Sequence, residues 1–236
     1  MYQMETEIPF TCTGADGRLK LHEAAVLLMN CCQFQEYQEV DFCRFLRQNN
    51  LAVFLFSIQM DLIRLPQFRE KVRTTVKIYG CKSIYGLRRL TMHDEKGELY
   101  LISNATGAFV DMNTGKAIKL DPDNIALKFD EAEPMECLPR KIPVPTDNGT
   151  PADPFRVTRS MLDPNGHLTS PVYISAAADV LPENFTYNRV RFEFKQQFKY
   201  NTLVCPVLFL TDEKTAVIDL RSDDGTSCAV AEFTTF

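Results

Sequence analysis

Side chains that can take part in acid–base chemistry alternate along one short stretch of the sequence. Asp163, Asn165 and His167 occupy every second position in DPNGHLTSPVYIS. A carboxylate can accept a proton from water, while amide and imidazole groups can orient that water or a carbonyl group. This combination suits the hydrolysis of an acyl compound, with Asp163 as the base.

A helix is predicted immediately after these residues. Ser170 is a suitable N-cap, Pro171 suits the first helical position, and apolar residues then recur with helical spacing. The free N–H groups and the dipole of a helix N-terminus favour negative charge. The predicted helix would therefore supply hydrogen-bond donors for the oxyanion that forms during acyl hydrolysis.

The same residues also have a purely structural interpretation. Pro164 and Gly166 are typical of a turn, and Asp or Asn side chains in turns often bond only the neighbouring backbone. His167 would then be an ordinary capping or solvent-exposed residue. Taken alone, these residues favour the structural interpretation, so the assignment depends on the rest of the chain.

Composition limits the classes of protein to consider. With 236 residues, 45% of them hydrophobic, the chain suffices for one large domain or two smaller ones. The net charge of −5 argues against nucleic-acid binding by the protein as a whole. Its cysteines lack C-x-x-C spacing and its histidines are scattered, so we expect no metal site, no cofactor and reduced thiols in a cytoplasmic protein. No secretory signal or transmembrane span is predicted.

The chain reads as two similar halves, each with a strand, a turn, one apolar helix and several strands. The helix of the first half is predicted over Leu21–Gln38, with a short second helix over Asp41–Gln48. Predicted strands of the first half cover residues 5–15, 51–63, 71–78, 84–93 and 98–112. Predicted strands of the second half cover residues 155–159, 187–200, 203–210, 215–220 and 227–234.

Prolines concentrate in residues 134–154, which we predict to be a linker between domains 1–133 and 155–236. The repeated order suggests aligning Asp16-Gly17-Arg18-Leu19-Lys20-Leu21 with Asp163-Pro164-Asn165-Gly166-His167-Leu168. That alignment pairs Arg18 with Asn165 and Lys20 with His167. It predicts a non-catalytic first domain and a catalytic second domain.

The stretch that begins at Asp163 resembles the active-site segment of the acyl-(acyl carrier protein) thioesterases, in which Asp-x-Asn-x-His precedes Tyr-Ile. The matching residues are Asp163, Asn165, His167, Tyr173 and Ile174. The first half contains weaker motifs in the family's order, among them Arg64-Leu65-Pro66 and Gly97-Glu98. The resemblance implies an α+β tandem double hotdog fold, in which each half is a curved antiparallel sheet wrapped around one apolar helix.

The resemblance also implies the reaction, which is hydrolysis of fatty acyl thioesters of acyl carrier protein to free fatty acid. Asp163 would activate water, and Asn165 and His167 would orient that water or the carbonyl group. Gln197 aligns with a glutamate of the family and is predicted to orient water; a plain polar strand residue is the alternative.

The acyl chain is expected beside the first-half helix and the strand that follows it. The predicted acyl-binding residues are Val26, Met29, Phe54, Phe56 and Ile58. For each of these residues taken alone, ordinary packing in the hydrophobic core is the alternative interpretation.

A basic segment runs from Arg64 to Arg89, where Glu70 is the only acidic residue. On an acidic protein, such a segment suits docking of an acidic carrier protein and the phosphate of its pantetheine arm. The predicted docking residues are Arg64, Arg69, Lys71 and Arg73. A solvated strand face is the alternative interpretation.

Two other functions remain compatible with the sequence. One is a different hotdog enzyme, either a coenzyme-A thioesterase or a hydratase, since folds host several chemistries. The other is a non-catalytic acyl-binding module, which is possible because Gln197 stands where the family has a glutamate. A homodimer is also compatible with the sequence, which fixes neither the oligomeric state nor the preferred acyl chain length.

Overall fold

A computed structural model describes residues 1–121, 123 and 127–236. The chain divides into two units, Met1–Cys137 and Leu138–Phe236. The boundary lies inside the proline-rich segment predicted as a linker, and Ile142 of that segment is buried in the core of the second unit. Among the described residues, no helix has both the length and the apolar character needed to cross a membrane.

The first unit is built on an antiparallel sheet. Its elements are β1 (Tyr2–Glu7), α1 (Leu21–Gln38), α2 (Val40–Gln48), β2 (Leu51–Leu62), β3 (Lys71–Lys82), β4 (Tyr85–Asp94), β5 (Leu99–Asp111) and β6 (Lys116–Ala117). The strand order is β1-β3-β4-β5-β2, and β6 pairs with β5. Helix α1 packs against β1, β3 and β4.

The sequence of α1 explains why the sheet can wrap around it. Ala24, Ala25 and Leu28 are completely buried, and the small alanine side chains let the strands approach closely. Complete burial of a leucine contributes roughly 1.5–3 kcal/mol to stability. On β3, Val72, Val76 and Ile78 lie on one face of the strand and are all buried.

The first predicted strand was placed incorrectly. We expected residues 5–15, but β1 ends at Glu7 and a 3-10 helix occupies Phe10–Cys12. Pro9 explains the early end, because proline has no N–H to donate to a strand ladder.

The second unit is also built on an antiparallel sheet. Its elements are β7 (Thr150–Pro151), β8 (Phe155–Arg156), α3 (Ser170–Ala178), β9 (Arg189–Phe194), β10 (Leu203–Asp212), β11 (Thr215–Ser222) and β12 (Ser227–Thr234). The strand order is β9-β12-β11-β10-β7, and β8 pairs with β10. Helix α3 packs against β12.

The predicted strand 187–200 is too long, because β9 ends at Phe194. The N–H groups of Lys195 and Gln196 both donate to the carbonyl oxygen of Cys228, at 2.8 and 2.9 Å, which breaks the regular ladder. The residues that follow therefore leave the sheet before the chain reaches β10.

Both units share one pattern of backbone hydrogen bonds around the start of their main helix. In the first unit, the N–H of Leu19 donates to the oxygen of Pro66 at 2.7 Å. In the second unit, the N–H of Leu168 donates to the oxygen of Phe198 at 2.8 Å. These bonds define a structural alignment of the two halves that does not depend on sequence identity.

The structural alignment shows that the predicted alignment is wrong by two residues. The N–H of Gly14 bonds the oxygen of Arg18 at 2.8 Å, as the N–H of Asp163 bonds the oxygen of His167 at 2.8 Å. Gly14 therefore takes the place of Asp163, and Arg18, rather than Lys20, takes the place of His167. Over six residues each register gives two identities, so identity alone could not distinguish the correct register from the predicted one.

Candidate active site

The predicted catalytic residues lie on a tight turn that immediately precedes α3. The N–H of Asp163 donates to the oxygen of His167, and the N–H of Gly166 donates back to the oxygen of Asp163 at 2.9 Å. Gly166 has a φ of +78°, which glycine adopts without steric cost. The turn thereby brings Asp163, Asn165 and His167 together within five consecutive residues.

The carboxylate of Asp163 fixes the shape of this turn. Its Oδ1 accepts the backbone N–H of Asn165 at 2.8 Å and that of His167 at 3.0 Å. Within the described chain, Oδ2 accepts no hydrogen bond, and the residue is only partly buried. One oxygen therefore maintains the turn while the other remains available to bind water.

A second turn of the protein shows which part of this geometry is purely structural. Asp94 Oδ1 also accepts two backbone N–H groups, from Lys96 and Glu98, each at 2.8 Å. The N–H of Gly97 likewise bonds the oxygen of Asp94 at 3.2 Å. The backbone arrangement alone is thus an ordinary turn, and the side chains of Asn165 and His167 distinguish the turn at Asp163.

The two accompanying side chains differ in exposure. Asn165 is exposed at the tip of the turn, whereas His167 is partly buried where its backbone forms a bridge with Lys199. The amide can therefore contact a ligand from the solvent side, and the imidazole can contact it from the protein side.

The helix that follows the turn begins one residue earlier than a serine cap requires. Thr169 is the N-cap and makes no side-chain capping bond, so the predicted cap at Ser170 is wrong. Pro171 has no N–H, and the N–H of Val172 donates to the oxygen of Thr169 at 2.9 Å. Among the first three helical residues, Ser170 therefore supplies the donor closest to the turn.

Tyr173 connects α3 to the turn, a role that the sequence did not reveal. Its hydroxyl accepts the N–H of Phe198 at 3.0 Å, and the oxygen of Phe198 in turn accepts the N–H of Leu168. The ring of Tyr173 also stacks on that of Phe198 at 5.5 Å between centroids. Burial raises the pKa of Tyr173 to about 12, so its hydroxyl stays protonated at neutral pH.

Gln197 lies outside any strand, in contrast to the prediction. It is exposed and directly precedes Phe198, in the segment that pairs with the turn. Its side chain makes no hydrogen bond with any described residue, Asp163 included. Its role in orienting water remains a prediction.

The first unit contains a cavity lined mostly by apolar side chains, with an empty volume of about 690 Å³ that includes space open to solvent. Of the five predicted acyl-binding residues, Met29 lines it, whereas Val26, Phe54, Phe56 and Ile58 do not. Val53 and Leu55 line the cavity instead. Phe54 lies between these two residues and so faces the opposite side of β2 by ordinary strand alternation. A bulge follows between Leu55 and Ser57.

One wall of this cavity is charged. Arg88 and Glu36 form an ion pair at 2.9 Å, with 15% and 19% of their side chains exposed. Burial raises the pKa of the neighbouring Cys32 thiol, so the thiol stays protonated. The cavity therefore combines an apolar lining with one internally neutralised pair.

The predicted docking residues all have carboxylate partners in the first unit. The pairs are Arg64–Glu70 at 3.0 Å, Arg69–Glu7 at 3.6 Å, Lys71–Glu95 at 3.6 Å and Arg73–Glu5 at 3.3 Å. Because each cation is matched by an anion, these residues produce a weaker positive field than the sequence suggests. Their part in docking remains a prediction.

Among the described residues, no group of three or more His, Cys, Asp or Glu side chains is placed to hold a metal ion. All eight cysteines are free thiols.

Solved structures identify the fold. An acyl-ACP thioesterase from Bacteroides thetaiotaomicron aligns over 98% of this chain and 96% of its own, with a TM-score of 0.89 and 17% identity. A 12:0-ACP thioesterase from Umbellularia californica aligns over 99% of this chain and 96% of its own, with a TM-score of 0.81 and 11% identity. The predicted tandem double hotdog fold is confirmed.

The family follows from the sequence itself. Residues 1–127 match the family model described as the acyl-ACP thioesterase N-terminal domain. The chain therefore belongs to the acyl-ACP thioesterase family, as the sequence motifs predicted, and is a thioester hydrolase. No curated protein matches the sequence at a significant level.

Proposed function

We propose that the protein hydrolyses fatty acyl thioesters of acyl carrier protein and releases free fatty acids for lipid metabolism. The observation that supports this most is the carboxylate of Asp163. It is fixed by two backbone N–H groups through one oxygen and keeps the other oxygen for water. Membership of the acyl-ACP thioesterase family supplies the substrate class.

In the proposed reaction, Oδ2 of Asp163 accepts a proton from a water molecule while the water oxygen attacks the thioester carbonyl carbon. Asn165 and His167 orient the water or the carbonyl group. The carbonyl oxygen becomes an oxyanion, for which the N–H of Ser170 is the proposed donor. Collapse of this intermediate breaks the C–S bond, and the proton held by Asp163 passes to the departing sulfur.

The acyl chain is proposed to occupy the cavity of the first unit, where Met29, Val53 and Leu55 contribute apolar surface. Burying a chain there removes its methylene groups from water, at about 0.8 kcal/mol for each group. The first unit would thus provide binding, and the second unit would provide the chemistry.

A reducing location suits the eight free thiols, so a cytoplasmic setting is part of the proposal.

The direct test is incubation with acyl carrier proteins that carry chains of several lengths, followed by measurement of free fatty acid and free thiol. We expect both products in equal amounts. A hydratase would modify an enoyl thioester without releasing thiol, and a binding module would retain the intact thioester. Either of these results would contradict the proposal.

A further inference from the structure

A shallow groove in the second unit lies beside the Asp163 turn. It is formed by the 3-10 helix Arg159–Met161 and the turn that follows Lys199. The polar residues that line it are Arg156, Thr158, Arg159, Ser160, Tyr200 and Asn201. Guanidinium, hydroxyl and amide groups therefore converge on one place.

The cations of this groove are held in position but are not neutralised. Arg156 donates through Nη1 to the backbone oxygen of Asn201 at 2.8 Å. The guanidinium of Arg159 lies 5.3 Å from the centroid of the Tyr200 ring. Within the described chain, neither arginine has a carboxylate within 4.0 Å, nor does Lys199, in contrast to the paired cations of the first unit.

The equivalent place in the first unit carries an ion pair and two aromatic rings. Glu7 corresponds to Arg156, and its ion-pair partner Arg69 corresponds to Asn201. By the backbone hydrogen bonds that both units share, Phe10 corresponds to Arg159 and Phe68 to Tyr200. The two phenylalanine rings contact each other edge to face at 5.6 Å between centroids. The first unit thus has a matched ion pair at this place, whereas the unit that carries Asp163 has two arginines without a carboxylate partner among the described residues.

We propose that the Arg156–Arg159 groove binds the phosphate of the phosphopantetheine arm of the substrate. The inference rests on the proposed thioesterase function and adds the substrate group that this surface recognises. Two arginines and adjacent hydroxyls suit a phosphate because guanidinium donors match its oxygens. Asp163 is four positions after Arg159, so their Cα atoms are at most about 14 Å apart, a distance that an extended pantetheine arm can span.

The test compares two substrates that differ only in the phosphate, an acyl-pantetheine and the matching acyl-4′-phosphopantetheine. The double variant R156Q/R159Q should raise KM for the phosphorylated substrate about 10–100-fold, the loss expected for charged hydrogen bonds, with kcat nearly unchanged. Turnover of acyl-pantetheine should change less than about two-fold. The variant R156K/R159K should recover part of the loss, since it restores the charge.

Lys214, an exposed cation on the turn between β10 and β11, provides the matched control. Lys214→Gln should change neither KM nor kcat for either substrate. An equal loss on both substrates would overturn the proposal and assign the arginines a structural role. A loss with acyl carrier protein but not with acyl-4′-phosphopantetheine would also overturn it, in favour of protein docking. Failure of the wild type to hydrolyse any thioester would instead reject the proposed function.

Discussion

The two turns that precede α1 and α3 have the same backbone bonds and different side chains. The first carries Gly14, Asp16 and Arg18 where the second carries Asp163, Asn165 and His167. The first turn thus has no carboxylate at the position of the proposed base. Both units of this protein use the same backbone turn before their main helix, whereas the proposed chemistry requires side chains that only the second unit carries.

A second pair of equivalent positions shows how the second unit supports its turn. Pro66 corresponds to Phe198, and Ala24 corresponds to Tyr173. Proline has no N–H, so the first unit needs no acceptor there and an alanine suffices. Phe198 has a buried N–H, and the hydroxyl of Tyr173 accepts it. Tyr173 therefore belongs to the structural support that differs between the two units.

The largest expected effect comes from Asp163→Ala, which removes both the proposed base and the acceptor of two backbone N–H groups. We expect a loss of about 10²–10⁴ in kcat, typical of general-base removal. We also expect a fall of about 1–2 kcal/mol in unfolding free energy from the lost turn bonds. Steady-state kinetics measures the first effect, and urea denaturation measures the second. Activity near wild type would show that the Asp163 turn is no more catalytic than the first turn.

A smaller loss in rate is expected for His167→Ala and for Asn165→Ala. These residues are proposed to orient the water or the carbonyl and not to accept the proton, so each change should lower kcat by about tenfold or more without abolishing it. Single-turnover assays separate this effect from substrate binding. If both variants keep the wild-type kcat, Asp163 would be the only one of the three residues that takes part in the reaction.

Tyr173→Phe tests the support of the turn. The change leaves the buried N–H of Phe198 without an acceptor, which should lower the unfolding free energy by about 1–3 kcal/mol. Activity should fall only a few-fold, because the turn retains its own hydrogen bonds. Tyr37→Phe is the matched control, since Tyr37 is 68% exposed, and it should change neither quantity.

The pH dependence of stability gives an independent test of Tyr173. Its pKa rises from 10.0 to about 12 on folding, so the folded state keeps the phenolic proton more tightly than the unfolded state. The resulting stability is complete below pH 10 and is lost as the pH rises towards 12. The difference in unfolding free energy between wild type and Tyr173→Phe should therefore shrink across this range. If the difference in unfolding free energy stays constant across this pH range, burial does not shift the pKa of Tyr173.

The smallest effect is expected in the first turn. Arg18→Ala combined with Lys20→Ala should leave turnover within a few-fold of wild type, because Gly14 stands where the base would be. The variant is assayed with the same acyl carrier protein substrate. A loss as large as that of His167→Ala would show that the first turn also takes part in the chemistry.

The sequence predicted the elements whose signal is local and regular. The bounds of α1, Leu21–Gln38, and of β12, Ser227–Thr234, agree with the prediction because a continuous apolar pattern defines each of them. The prediction of a strand over residues 5–15 was wrong, because Pro9 prevents the strand from continuing. The family, the fold and the turn at Asp163 were all visible in short motifs.

Other features depend on contacts between distant residues. The bond between Tyr173 and Phe198 joins residues 25 positions apart and leaves no periodic signal. The pair of Arg73 and Glu5 is set by the register of β1 on β3, which a list of basic residues does not show. The bulge in β2 between Leu55 and Ser57 changes which side chains share a face of the strand, and no short pattern in the sequence predicts it.

The most direct test of the account is the kcat of Asp163→Asn beside that of Asp94→Asn. Asparagine keeps an oxygen that can accept the two backbone N–H groups of either turn, so both variants should fold normally. We predict that Asp163→Asn loses about 10²–10⁴ in kcat with acyl carrier protein substrates, whereas Asp94→Asn retains wild-type activity. Full activity of Asp163→Asn, with thermal stability equal to that of wild type, would contradict the assignment of Asp163 as the base.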